Sequence, residues 1–173
     1  GSPSKFEALQ LSMREDISFD EATSKIDIRN NAWHAASLRI EKSIDDGYYL
    51  EAITLSENFI SNLLYNYLSH KGKVNSDLNF SGLIQKRKPH FVASADLAMI
   101  EDVDSWRKSR NNAIHNFVSS SIDDLTANTD TLTESSSSTA RLGQALTKQV
   151  LDWYRAAAVD FIQHNFPRSQ LDS

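Results

Sequence analysis

The chain has 173 residues, 40% hydrophobic and 24% charged, with a formal net charge of −5; that balance suits a single globular core and argues against a chain that coats DNA non-specifically. It holds no cysteine, which excludes disulfides and thiolate metal sites and makes a reducing cytoplasm the expected compartment. No apolar run approaches the length of a membrane span and no secretory apolar segment stands near the start, so no membrane association is expected.

Only five glycines and three prolines punctuate the sequence, which favours long helices over a many-turned β architecture. Residues 1–31 read as an N-terminal extension, with room for one short helix through Phe6, Leu9 and Met13 ahead of a charged stretch. Asp and Asn residues in that stretch offer N-caps for the next helix. From Trp33 the apolar spacing is helical through Ala36, Ile40 and Ile44, and Asp45-Asp46-Gly47 is a stop signal. Ala52, Leu55, Phe59, Leu63 and Tyr67 then repeat at three- and four-residue steps, the longest clean amphipathic pattern in the chain, closed by Gly72.

Phe80, Leu83 and Ile84 mark a short helix, followed by a basic turn at Lys86-Arg87-Lys88 that Pro89 prevents from continuing as helix. A long helix resumes near Ser94 and carries Leu97, Ile100, Val103, Trp106, Ala113, Ile114 and Phe117. Residues 119–139 are rich in Ser, Thr, Asp and Asn and poor in large apolar groups, the composition of a mobile, solvated loop. Leu142, Leu146, Val150, Trp153, Tyr154, Ala157, Phe161 and Ile162 give a last helix, ending near Asn165 and Pro167. The expected architecture is all-α: an up-and-down bundle of four to five helices over 32–166, with a Ser/Thr-rich loop at 119–139 and a tail at 167–173.

The chemistry-bearing motifs are few. His34, His70, His90, His115 and His164 never fall three to five residues apart, and no carboxylate spacing suggests a metal, so neither a metal nor another cofactor is expected. No glycine-rich phosphate loop and no G-x-S-x-G are present. What stands out is 106–117, WRKSRNNAIHNF. On a helix, Trp106, Arg110, Ala113, Ile114 and Phe117 share one broad stripe, so Arg110 is a cation among apolar neighbours. A guanidinium so placed needs an acid from another helix, with Glu51 or Glu57 as candidates, or must extend its head to water. His115, taken alone, is a helix-surface histidine.

Taken together, Arg110, Asn111 and His115 form R-N-x-x-x-H, which resembles the R-x4-6-H motif of the HEPN superfamily. The order of elements over about residues 32–165 also resembles that family: two early helices, a variable middle, the motif helix and one terminal helix. The resemblance implies a metal-independent endoribonuclease, often a toxin or antiviral defence effector, that works as a homodimer. By the same resemblance Arg110 and His115 are the catalytic residues, with Asn111 as their polar neighbour. Some relatives governed by a nucleotidyltransferase antitoxin carry a tyrosine two residues past the histidine. Here that position is Phe117, which has no hydroxyl to modify.

The residue types suit the chemistry. RNA supplies its own nucleophile in the 2′-OH; histidine moves protons near neutral pH, and arginine grips phosphate through a planar fork. The products would be a 2′,3′-cyclic phosphate and a 5′-hydroxyl. Residues five apart on a helix sit about 140° around the axis and ~7.5 Å along it, so two copies across a two-fold axis bring both pairs to one cleft more readily than one chain does. Arg107, Lys108, Asn112 and Asn116 are the candidate RNA contacts, and Lys86 to Lys88 form a second basic cluster. The expected partners are RNA, a second copy and, for a toxin, an antitoxin or regulatory protein. The rival expectation is a non-catalytic HEPN-like domain that binds RNA, a nucleotide or a protein.

Overall fold

Pro3 opens the first helix, where its fixed φ suits the first turn and its missing N–H costs no hydrogen bond. The computed structural model describes residues 3–70, 79–87, 94–119 and 122–165. These form six helices with no strand among them: α1 (Pro3–Glu15), α2 (Phe19–Asp45), α3 (Tyr49–His70), α4 (Phe80–Arg87), α5 (Ser94–Ser119) and α6 (Ile122–Asn165). The all-α class follows from the sequence pattern, and five helices, α2 to α6, fall wholly or partly within 32–165, with α1 ahead of them. No helix among the described residues is long and apolar enough to cross a membrane. The chain divides into two units, Gly1–Ala35 with Asp152–Ser173, and Ala36–Leu151.

In the first unit, residues 1–31 hold the short helix expected through Phe6, Leu9 and Met13, and more helix besides. They hold all of α1 and the first half of α2. Asp16, at φ 53°, takes the left-handed conformation that ends α1. The Ile17 N–H bonds the Ser12 carbonyl at 3.2 Å, closing the terminal loop. Ser18 then caps α2 by accepting from the Glu21 N–H at 3.1 Å, and Asp20 and Glu21 fill its first turn. Ala8, Leu11, Ala22 and Ile26 are buried together, with Ile17 against them. Helix α2 therefore starts fourteen residues before Trp33, because Ala22 and Ile26 extend the same face while the charged residues line the others.

A buried polar cluster completes this unit. Arg29 Nη1 donates to Glu7 Oε2 at 2.6 Å and to the Tyr154 hydroxyl at 3.2 Å, and that hydroxyl donates to Glu7 Oε2 at 3.1 Å. The guanidinium carbon lies 4.1 Å from the Trp33 ring centre, and Trp33 meets Tyr154 edge-on at 5.4 Å. A carboxylate as enclosed as Glu7 is tolerable only with such partners.

In the second unit α2 ends where the sequence signals it. Gly47 adopts φ 80°, and the Tyr48 N–H returns to the Ser43 carbonyl at 2.7 Å. Arg39 and Glu51, at 2.8 Å, link α2 to α3. Helix α3 buries Ala52, Phe59 and Leu63 as its periodicity predicts, and also Ile53, Ile60, Leu64 and Leu68. It packs on α4 and α5, which also pack on each other. Asn79 caps α4, accepting from the Gly82 N–H at 2.8 Å. Lys86 and Arg87 lie in the last turn of α4 rather than in a basic turn. Gly72, Lys88, Pro89 and the 167–173 tail lie outside the described residues, as do the side chains of Lys86, Arg87 and Phe117.

The largest correction concerns 119–139. From Ile122 onward this tract is helix, the first half of the 44-residue α6. Among the described side chains of α6 up to Val150, the buried positions are Ser136, Thr139, Ala140, Gly143, Leu146, Thr147 and Val150, a helical stripe made mostly of small residues. Small side chains are what the opposing surface demands. The buried Trp106 indole donates Nε1–H to the Thr139 carbonyl at 2.9 Å and meets Phe80 edge-on. A Cβ on Gly143 would stand 2.6 Å from Trp106 Cζ2. Leu142, by contrast, faces outward.

Two outcomes check this packing. In an unconstrained helix Gly→Ala gains about 1 kcal/mol, whereas overpacking a fixed core costs about 1–3 kcal/mol. With the indole held by Thr139 the clash should prevail, so Gly143→Ala lowers the denaturation midpoint; a raised midpoint would refute the close approach. In the first unit, burial and then the Glu7 carboxylate hold the Tyr154 phenol far above its ordinary 10.0. Below pH 10 both folded and unfolded tyrosine keep the proton and stability is unaffected. Above it the unfolded phenol ionises first, so stability should fall by up to about 1.4 kcal/mol per pH unit. Denaturant titrations at about pH 9 and about pH 11 should show this fall in the wild type and a smaller one in Tyr154→Phe.

Candidate functional site on helix α5

Every candidate residue lies on α5, which runs without interruption from Ser94 to Ser119. Met99, Ile100, Val103, Trp106 and Ala113 bury one side of it. That leaves Arg107 half-buried at the edge and Lys108, Asn111, Asn112, His115 and Asn116 on the exposed side.

Arg110 sits where the buried and exposed sides meet. Its Nη2 lies 2.9 Å from Glu57 Oε1 on α3, the side chains being 19% and 23% exposed. Glu57 is thus the acid that meets this guanidinium, while Glu51 is engaged by Arg39. The Nε of Arg110 is buried with no hydrogen-bond partner among the described residues. Because the Glu57 carboxylate keeps some contact with water, the pair is only partly desolvated and its net strength is modest.

The two other cations share one acid. Asp104 takes Arg107 Nε at 3.1 Å through Oδ1 and Lys108 Nζ at 3.6 Å through Oδ2. The spacings, three and four residues on one helix, are those at which side chains meet, so this arrangement was readable from D-S-W-R-K without a structure.

With no break in α5 between them, Arg110 and His115 keep the ideal separation of about 140° around the axis. One turns toward α3 and the other lies on the exposed side. The chain therefore brings Arg110 to Glu57 but does not gather Arg110, Asn111 and His115 on one face. Among the described residues no three of His, Asp and Glu come close enough to hold a metal ion together. A cavity of about 360 Å³ in the same unit, lined by Tyr48, Tyr49, Leu50 and Thr133 among others, includes none of the α5 candidates. Comparisons with protein-family models, curated proteins and solved structures found no match to this chain.

The Arg110–Glu57 geometry can be measured energetically. A double-mutant cycle with Arg110→Met and Glu57→Gln should give a coupling of about 1 kcal/mol in thermal or denaturant unfolding. A coupling near zero would mean that the pair does not persist in solution.

Proposed function

We propose that the chain is a metal-independent endoribonuclease of HEPN type, active as a two-fold homodimer in the cytoplasm, where it serves as a toxin or defence effector. One observation supports this above the others: a single unbroken helix presents an anchored guanidinium, Arg110 on Glu57, and an exposed imidazole, His115, five residues later. The splayed pair suits a shared cleft, in which Arg110 of one protomer and His115 of its partner face the same phosphodiester.

In that cleft the 2′-oxygen attacks phosphorus and the bond to the 5′-oxygen breaks. One imidazole accepts the 2′-OH proton and a protonated imidazole, supplied by the two-fold mate, delivers one to the leaving oxygen. Arg110 stabilises the charge that develops on the non-bridging oxygens. Asn111 adds a hydrogen bond, and Arg107, Lys108, Asn112 and Asn116 contact the flanking backbone. Glu57 fixes the guanidinium, which lowers the entropy lost when it engages phosphate.

A second reading has its own support. All three cations of the stretch already face carboxylates, Asp104 or Glu57. A helical domain that binds RNA or a protein without cleaving anything would tolerate this well.

The two readings separate in one assay. RNA incubated with the protein in EDTA should be cut to a 2′,3′-cyclic phosphate and a 5′-hydroxyl end. His115→Ala and Arg110→Ala should each lower the rate by about 10²-fold or more. Light scattering should report a dimer. Equal rates for all three proteins would discard these assignments, and bound but uncut RNA would favour the second reading.

A further inference from the structure

We infer that Asp104 is a charge gate on the face of α5 that meets RNA: it holds Lys108 in the unliganded protein and yields it to a backbone phosphate. The inference rests on the RNA reading above and adds a regulatory group to the same surface.

The geometry assigns unequal roles to the two cations on this carboxylate. The Asp104 side chain is only 8% exposed, so it is a fixed, partly desolvated anion. Arg107 is 18% exposed and makes a hydrogen-bonded contact at 3.1 Å. Lys108 is 67% exposed and its ammonium stands 3.6 Å away. An ammonium surrounded by water at that distance is weakly held, and its four-carbon stem lets it swing without disturbing the helix. Arg107 satisfies Asp104 when Lys108 leaves, so the departure strands no buried charge.

In a protein of net charge −5 the cost of approaching a polyanion is already high. A buried acid beneath the contacting lysine raises it further. Only a ligand with several adjacent phosphates would compensate, and a single strand of RNA presents one per nucleotide. The gate therefore suppresses weak anions such as free phosphate more than it suppresses an RNA strand.

The test uses a fluorescent 20-nucleotide oligouridylate in EDTA, with His115→Ala as the common background so that the probe is not cut. Asp104→Asn keeps the shape and a hydrogen-bond acceptor but removes the charge. It should tighten binding by about threefold to tenfold and leave the dependence of log K on log salt unchanged, because Lys108 reaches the same phosphate in both proteins and only its hold by Asp104 is removed. Asp104→Glu, which keeps the charge, should bind as the background does. Adding Lys108→Met to Asp104→Asn should cancel the gain.

Lys108→Met alone gives an arm that does not depend on tolerating a change at the enclosed Asp104. Its salt slope should be shallower by about 0.7; an unchanged slope would mean that Lys108 never reaches a phosphate and would overturn the gate. Unaltered affinity in a folded Asp104→Asn protein, against measurable binding by the background, overturns the gate and leaves the nuclease reading standing. Binding by none of the proteins overturns both.

Discussion

A buried indole sets the terms for much of the Ala36–Leu151 unit. Trp106 brings a large flat surface and one N–H donor into a region without water, and both must be met at once. The Thr139 carbonyl takes the donor, and the missing side chain at Gly143 makes room for the ring. A carbonyl inside a helix has a second lone pair available, so α6 can accept this bond without giving up its own ladder. The same contact fixes the rotation of α5, since burying Trp106 also buries Val103 and Ala113. Lys108, Asn112 and His115 then fall on the exposed side.

Among the described residues, arginine on an apolar stripe occurs at Arg29 and Arg110, and the two sites differ in what surrounds the acid. Arg29 meets Glu7, whose side chain is 4% exposed, and aromatic rings and a tyrosine hydroxyl close the site. An ion pair so enclosed has no room for a ligand and serves the packing of its own unit. Arg110 meets Glu57, whose side chain retains several times that exposure. Water reaches the second pair through its acid, while the two arginine side chains are almost equally enclosed, at 16% and 19%. The solvation of the acid, and not that of the arginine, is what separates the two sites.

The candidate site was unevenly legible. Glu57 was nameable as a partner for Arg110 because a partly buried guanidinium needs an acid and few lie on the neighbouring amphipathic helix. Asp104 was overlooked even though its three- and four-residue spacing to Arg107 and Lys108 is a local helical property. The loop expected at 119–139 failed for a different reason. Composition reports how much apolar surface a segment can bury, and a stripe of Ser, Thr, Ala and Gly buries little. Its role is close approach to a large partner, and that partner lies more than thirty residues away in the chain.

By itself the sequence determined the all-α class, the stop at Asp45-Asp46-Gly47, part of the cores of α3, α4 and α5, and the composition of the polar stretch on α5. These follow from the three-to-four-residue periodicity, from capping and from φ preferences, all of which act within a few residues. Only the tertiary structure decided that 1–31 folds with the end of α6 into a unit of its own, that the Ser/Thr tract is helix, and that Arg29 meets Glu7 and Arg110 meets Glu57. Those outcomes depend on which surfaces face each other across long stretches of chain, and no local rule carries that information.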